Sequence, residues 1–234
     1  MKAVVSGDIG CYTLGATPPL SAVHSTIDMG ASLSVAHGLE LADVTGRTKR
    51  PVVGVIGDST FAHSGITSLL GTVYNAGVGT LCILDNRTTA MTGCQGNPCN
   101  GITLHEQVRG ANPLAVEKGK RLDIEALCRA LGVDDVRSVD AQDYAAVKAA
   151  LKQGTGTDNL TVLVFHSPCR LIDRSRNAVA VVNECRACGK CVRIGCPAIG
   201  KDAKGHAVID PTQCIGCSQC VQVCPFGCIS KEGE

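Results

Sequence analysis

The chain has 234 residues, of which 44% are hydrophobic and 3% aromatic, with no Trp and a formal net charge of +1 at pH 7. The balanced charge gives no electrostatic reason to expect nucleic acid or a membrane as a partner, and the scarcity of aromatic residues argues against base-stacking platforms. No apolar run approaches the roughly 18–20 residues of a membrane span, and the N-terminus lacks the apolar region of a signal peptide. We therefore expect a cytoplasmic chain whose 15 cysteines serve metal or redox chemistry rather than disulfides.

The first 170 residues alternate between predicted strands and helices. Strands are predicted at 2–8, 51–58, 79–86, 135–140 and 159–168, and helices at 29–42, 63–78, 123–132 and 143–154. Strands that are apolar throughout and separated by helices indicate a parallel sheet covered on both faces. The predicted class is therefore α/β with a doubly wound parallel sheet, followed by a small α+β domain.

Residues 87–113 break this alternation. They are rich in Gly, Asn, Pro and Thr and show no clear periodicity. Because a long ordered loop is more often functional than not, we expect this stretch to contribute to a site.

Two polar turns follow neighbouring predicted strands. "GDST" carries Asp58, and "LDNRTT" carries Asn86. At the carboxyl edge of an open parallel sheet the two side chains would lie side by side and offer the hard oxygen atoms that Mg²⁺ prefers. Gly57, Ser59 and Thr60 could hold a phosphate at the start of the following helix. The alternative is an ordinary helix cap at Asp58 and an ordinary turn at Asn86.

The cysteines of the last fifth of the chain form two similar runs. "CRACGKCVRIGCP" and "CIGCSQCVQVCP" begin 29 residues apart, at Cys185 and Cys214. Three thiolates at this close spacing can bind three irons of a cubane, and each run adds a fourth Cys before a Pro. Two zinc knuckles are the alternative, although zinc sites favour paired C-x₂-C units with a longer gap.

These runs resemble those of bacterial-type two-[4Fe-4S] ferredoxins, in which the fourth Cys of each run binds the other cluster. The resemblance implies two four-cysteine sites. The first comprises Cys185, Cys188, Cys191 and Cys224, and the second comprises Cys214, Cys217, Cys220 and Cys196. The first run has one extra residue before its fourth Cys.

The two polar turns resemble the thiamine-diphosphate motif, with Ser59 in place of a Gly and Asp85 in place of an Asn. The resemblance implies that Asp58, the Asn86 side chain and the Thr88 carbonyl bind Mg²⁺. The residues implied to bind the cofactor are Gly57, Asp58, Ser59, Thr60, Asn86, Thr88 and Met91.

Four longer stretches make the whole chain similar to the α subunit of indolepyruvate:ferredoxin oxidoreductases, which are thiamine-dependent 2-oxoacid:ferredoxin oxidoreductases. They are "SGDIGCYTLGATPPL", "MGASLSVAHG", "GDSTFAHSGI" and "LDNRTTAMTGCQGNP". The resemblance implies oxidative decarboxylation of aryl 2-oxoacids such as indolepyruvate with coenzyme A, and electron delivery through two [4Fe-4S] clusters to an external ferredoxin. The alternatives are the same chemistry on pyruvate or branched 2-oxoacids, and a non-catalytic electron-transfer module fused to a degenerate α/β domain.

The predicted domains are a thiamine-diphosphate and Mg²⁺-binding domain at 1–175 and a two-cluster ferredoxin domain at 176–234. The family's pyrimidine-binding half has no match here. We expect another domain or chain to supply it, together with a β subunit, and no catalytic acid or base can be assigned without it. Cys11 and Cys169 resemble two ligands of a further cluster in related enzymes. Their alternative role as two free thiols is favoured because half a ligand set binds no cubane.

Overall fold

A computed structural model describes residues 3–42, 50–108, 119–173 and 179–233. The boundary predicted at residues 175 and 176 lies outside these ranges, so the division into domains stays a prediction. No helix in the described ranges is both long and apolar enough to cross a membrane.

A six-stranded sheet forms the centre of the first part of the chain. Every neighbouring pair of its strands is parallel, and the strand order is β2-β1-β3-β4-β6-β5. The strands are β1 (Val4–Gly7), β2 (Ser25–Thr26), β3 (Val52–Gly57), β4 (Gly79–Asp85), β5 (Asp135–Asp140) and β6 (Leu160–His166). The neighbours β3, β4 and β6 therefore end at one common edge, which we call the carboxyl edge.

Helices cover both faces of this sheet, as the continuously apolar strands predict. They are α1 (Ser32–Ala42), α2 (Asp58–Thr60), α3 (Ile66–Tyr74), α4 (Leu104–Val108), α5 (Ile124–Ala130) and α6 (Tyr144–Gly154). A π-helical turn at Phe61–Gly65 joins α2 to α3, so one continuous helix starts directly after β3.

Successive residues of the central strands pack into two separate cores. Leu81 and Ile83 of β4 belong to a core that also contains Leu69 of α3, whereas Cys82 lies on the other face with Ala150 of α6. This alternation follows from the two-residue period of side chains along a strand. It confirms the doubly wound α/β class.

The predicted strands and long helices are confirmed with shifts at their ends. The helix predicted to start at residue 63 starts at Asp58, because the polar turn itself forms the first helical turn. The prediction of an irregular stretch at 87–113 was wrong for α4, and residues 109–113 lie outside the described ranges. The short 3₁₀ helix Cys11–Ala16 and strand β2 were not predicted, because both are too short to show a hydrophobic period.

The last part of the chain is a small α+β unit with internal repetition. Two antiparallel pairs, β7 (Ala180–Val182) with β10 (Ile229–Lys231) and β8 (Ile199–Lys201) with β9 (Ala207–Ile209), accompany the short helix α7 (Gln219–Val223). Its buried core mixes four apolar side chains with Cys191 and Cys220. A core this small gains little from hydrophobic burial, and such domains commonly depend on a bound metal.

Side-chain amides of α7 hold the small unit against the loop between β5 and α6. Gln219 Nε2 donates hydrogen bonds to the carbonyl oxygens of Ala141 at 3.3 Å and Gln142 at 2.8 Å. Gln222 donates to the Gln142 carbonyl at 2.8 Å and accepts from the backbone N–H of Tyr144 at 2.9 Å. The helix that carries Cys220 is thereby fixed against the sheet domain.

Candidate functional site

A cavity of about 400 Å³ opens at the carboxyl edge. Every residue that the thiamine resemblance implies to bind the cofactor lines it. They are Gly57, Asp58, Ser59, Thr60, Asn86, Thr88 and Met91. The turns after β3 and β4 meet because neighbouring parallel strands end together.

Asp58 provides a buried carboxylate in this cavity. The residue is 2% exposed, and its Oδ2 accepts a hydrogen bond from Nδ2 of Asn97 at 3.1 Å. Burial, followed by the negative charge of Asp85, raises the pKa of Asp58 to about 7. A neutral amide balances only part of a buried negative charge, so this carboxylate favours a bound proton or a bound cation.

The turn that carries Asn86 is held from three sides. Asn86 Oδ1 accepts the backbone N–H of Thr88 at 3.1 Å, and the intervening Arg87 adopts a left-handed φ of 61°. Asn100 Nδ2 donates to the Arg87 carbonyl at 3.0 Å, and the N–H of Cys169 donates to the Asn86 carbonyl at 3.0 Å. The amide oxygen of Asn86 is therefore fixed at the cavity wall.

A hydroxyl pair connects the two turns. Thr89 Oγ1 donates to Ser59 Oγ at 2.7 Å. The Ser59 side chain, which stands where the thiamine motif has Gly, thus ties the start of α2 to the loop after β4. Ser59 in place of the motif's Gly therefore leaves the cavity open and adds a hydrogen bond between its two turns.

Two buried asparagines in the loop after Thr92 support the site, and the sequence analysis missed them. Asn97 Oδ1 accepts the N–H of Cys99 at 2.8 Å while its amide binds Asp58. Asn100 Oδ1 accepts the N–H of Ile102 at 2.9 Å. The pairs Asn-Pro and Asn-Gly signal turns in the sequence. Nothing in that signal indicates that one of the side chains reaches Asp58.

Tyr12 lines the cavity, and Asp8 lies just before it in the chain. The fully buried Asp8 carboxylate accepts the backbone N–H groups of Gly30 at 2.9 Å and Ser32 at 3.1 Å, which fixes the start of α1. The Tyr12 hydroxyl accepts the Gly57 N–H at 2.9 Å, and burial raises the pKa of Tyr12. A Cβ on Gly57 would lie 3.2 Å from the Tyr12 ring, so this close approach favours glycine.

Asp85, which replaces an Asn of the thiamine motif, forms a cluster with side chains of β6 and α5. Its Oδ2 lies 2.9 Å from His166 Nδ1 and 3.4 Å from Arg121 Nη2, and His166 Nε2 lies 2.8 Å from Glu125 Oε1. The hydrogen bond to Asp85 is the main cause that raises the pKa of His166. This cluster was not predicted, because His166 and Glu125 are distant in sequence from the motif.

The eight cysteines of the two runs line two cavities in the small unit. One cavity is lined by Cys185, Cys188, Cys191 and Cys224, and the other by Cys196, Cys214, Cys217 and Cys220. The structure thus groups each fourth Cys with the triplet of the other run. The extra residue before Cys196 is accommodated by a 3₁₀ turn at Val192–Ile194 that ends in a left-handed Gly195.

Backbone N–H groups donate to sulfur atoms of the first quartet. The N–H of Ala207 lies 3.3 Å from Cys185 Sγ, and that of Cys228 lies 3.3 Å from Cys224 Sγ. Such bonds stabilise thiolate charge. Cys228 is buried, and its own thiol donates to the Glu184 carbonyl. In the described ranges, no three His, Cys, Asp or Glu side chains converge closely enough to hold a single metal ion.

Three further thiols lie near the carboxyl-edge cavity. Cys11 lines it, and Cys169 follows β6 and contacts the Asn86 turn. Burial, followed by the charges of Cys169 and Cys11, raises the pKa of Cys94. The three thiols are therefore within electrostatic range of one another, and a ligand role for Cys11 and Cys169 stays a prediction.

The profile of the family described as "Thiamine pyrophosphate enzyme, C-terminal TPP binding domain" matches residues 8–165, which is most of the chain. The chain belongs to the thiamine pyrophosphate enzymes. A second profile, described as "4Fe-4S binding domain", matches residues 207–230. The thiamine pyrophosphate domain and an iron–sulfur segment thus occur in one chain.

Curated relatives align with both parts of the chain. The indolepyruvate oxidoreductase subunit IorA of Pyrococcus horikoshii is 40% identical over 255 aligned positions, which cover 100% of this chain and 38% of the relative. The same subunit of Methanothermobacter thermautotrophicus is 38% identical over 97% of this chain and 35% of the relative. The chain therefore spans little more than a third of the length of these relatives.

A solved 2-oxoglutarate:ferredoxin oxidoreductase from Magnetococcus marinus has the same fold. It aligns with 72% of this chain and 55% of its own chain, with a TM-score of 0.57 and 15% sequence identity. At that identity the likeness supports the fold class and nothing finer.

The buried Asp58 carboxylate should reduce stability at high pH. Between the ordinary value of 3.8 and about 7 the folded chain keeps a proton on Asp58 that the unfolded chain has lost, so stability falls as the pH rises through this window. Asp58→Asn removes this cost and should stabilise the ligand-free chain at pH 8 by about 1–2 kcal/mol. The gain should shrink as the pH falls from 7 to 4, as measured by thermal unfolding in EDTA.

Asp158→Asn is the matched control, because it removes the same charge from an exposed side chain. If Asp58→Asn does not stabilise the chain at pH 8, or if the stabilisation does not vary with pH, this account of the carboxylate is wrong.

Proposed function

We propose that the chain is the diphosphate-binding and electron-transfer part of a 2-oxoacid:ferredoxin oxidoreductase. The observation that carries the proposal is the cavity around the buried Asp58, in the same chain as two four-cysteine cavities. The named relatives at about 40% identity support this reaction class. We further propose aryl 2-oxoacids such as indolepyruvate as substrates and coenzyme A as the acyl acceptor.

The residues of the carboxyl-edge cavity fit Mg²⁺ and thiamine diphosphate. The buried Asp58 carboxylate needs a cation, and the Asn86 amide and the Thr88 carbonyl supply further hard oxygen atoms. The first helical turn after β3, at Ser59 and Thr60, offers backbone N–H groups to a diphosphate. We therefore assign the Mg²⁺ ligands to Asp58, Asn86 and Thr88.

When bound, thiamine diphosphate supplies the nucleophilic carbon and the electron sink for decarboxylation of a 2-oxoacid. The chain's own residues orient and enclose it. Tyr12 holds the backbone of Gly57 in place, and the apolar side chains of Leu84, Met91 and Phe165 line the cavity and exclude water.

The two cysteine quartets fit two [4Fe-4S] clusters, which accept electrons one at a time. Their linkage to the thiamine domain through Gln219 supports transfer between the two parts. An external ferredoxin is the proposed final acceptor.

Since the chain spans 38% of the length of the IorA relatives, we propose that the remaining functions lie in other domains or chains. These include the pyrimidine-binding half and a β subunit.

Thiamine diphosphate with Mg²⁺ should stabilise the chain against heat through Asp58. At a ligand concentration 100 times the dissociation constant, the expected stabilisation is about 2.7 kcal/mol. Asp58→Ala should abolish the shift in melting temperature, because Mg²⁺ loses its charged ligand. Asp158→Ala, at an exposed position away from the cavity, should retain it. An equal shift in both variants would rule out the assigned site.

Iron content should test the ligands of both quartets. Anaerobically purified chain should contain about eight irons, and Cys188→Ala or Cys217→Ala should each lower this to about four by removing a ligand of one cluster. Cys228→Ala is the control, because Cys228 lines the first cavity without belonging to either quartet. A loss of iron in Cys228→Ala equal to that in Cys188→Ala, or zinc in place of iron, would refute the ligand assignment.

A further inference from the structure

We propose that the surface around Cys188 is the docking site for an acidic one-electron carrier protein. The proposal rests on the proposed function, since it assigns a role to the first cysteine quartet. It identifies the partner by its charge and redox chemistry, and the surface by side chains that lie outside both quartets.

The second quartet faces the sheet domain. Gln219, which lines the cavity of Cys214, Cys217 and Cys220, donates to the carbonyl of Ala141, and Ala141 lines the carboxyl-edge cavity. Arg170 Nη2 also donates to the Ile215 carbonyl at 3.1 Å. This side of the small unit is therefore covered by the rest of the chain.

The first quartet faces outward. Cys188 is exposed, whereas the other three cysteines of its quartet are half-buried or buried. Phe226, two residues after Cys224, is 48% exposed. The guanidinium of Arg186 lies 4.9 Å from the centre of the Phe226 ring. An exposed aromatic ring with a stacked cation beside an exposed ligand suits the centre of a protein contact, because aromatic and Arg side chains are enriched at interfaces.

Two segments next to Cys188 carry exposed cations. Lys190 lies in the cysteine loop, and Lys201 and Lys204 lie in the β8–β9 hairpin, all exposed. A Cβ built on Gly189 would be 3.7 Å from Lys201 Nζ, so the hairpin packs directly against the loop. We call the set of Arg186, Lys190, Lys201 and Lys204 the basic face.

The segments that carry the basic face hold fewer acidic than basic residues, so their net charge is positive. Between residues 183 and 206 there are two acids, Glu184 and Asp202. The Asp202 carboxylate accepts the N–H groups of Lys204 and His206 and lies 3.1 Å from His206 Nδ1. No salt bridge to another described residue neutralises the four cations. A local positive field on a chain of net charge +1 attracts an acidic partner.

The exposed residues beside the second quartet contrast with this surface. Pro211, Thr212 and Gln213 are exposed and uncharged, and Arg193, three residues before Cys196, is an exposed cation, so this side carries fewer cations than the basic face. Charge complementarity thus favours the first quartet as the place where a carrier docks. Carrier complexes of this kind bury little area, so their affinity depends strongly on charge steering and on ionic strength.

The test measures binding of a recombinant acidic two-[4Fe-4S] ferredoxin to the iron-loaded chain by anaerobic calorimetry at two ionic strengths. Lys201→Glu combined with Lys204→Glu should raise the dissociation constant by about tenfold or more at low salt and flatten its salt dependence. Lys148→Glu combined with Lys152→Glu, on the exposed face of α6, should change it by less than about twofold. Cationic cytochrome c should bind the wild-type chain more weakly than the ferredoxin does.

The proposal is overturned if the Lys201/Lys204 variant binds the ferredoxin as tightly as the wild type does. It is also overturned if both double variants weaken ferredoxin binding equally, or if the wild type binds cytochrome c as tightly as the ferredoxin. Absorption spectra and iron content, which should match the wild type in both variants, show that the clusters are intact. A wild-type chain that takes up no iron would refute the proposed function itself. If the iron-loaded wild-type chain does not bind the ferredoxin, the result refutes the basic face and leaves the proposed function standing.

Discussion

The site depends on one buried negative charge at the carboxyl edge of a parallel sheet. Asp58 begins a helix directly after β3, is almost fully buried, and has a neutral amide as its side-chain donor. In the ligand-free chain a proton relieves that charge below about pH 7, because burial raises the pKa of Asp58 to about 7. A divalent cation would relieve it better, since it also engages the oxygen atoms of the neighbouring turn.

The surrounding residues keep this arrangement rigid. Asn97 binds the carboxylate, Asn100 and Cys169 hold the Asn86 turn, and Tyr12 fixes the backbone before Asp58. These partners come from distant parts of the chain. The buried charge lowers the stability of the ligand-free chain, but the same arrangement preforms a cation site. Such a loss of stability is common at functional sites.

The site residues were predictable from the sequence, whereas the residues that hold them in place through hydrogen bonds were not. The cysteine runs and the two polar turns are local patterns of residue type and separation, and the family resemblances that they carry implied how their residues group. Asn97, His166 and Gln219 act through contacts made only after the sheet and the small unit pack together. The residues next to them in the sequence form no pattern that predicts those contacts. The start of the helix at Asp58 was misplaced for a related reason, since a polar residue at a helix start does not show in a hydrophobic period.

Infrared difference spectroscopy tests the central claim most directly. At pH 6, below the raised pKa of Asp58, adding Mg²⁺ and thiamine diphosphate should remove the carbonyl band of a protonated carboxylic acid and create carboxylate bands. Asp58→Asn should lack this change. If the acid band persists in the wild type, or is lost equally in Asp58→Asn, the buried carboxylate does not bind the cation and the account of this site is wrong.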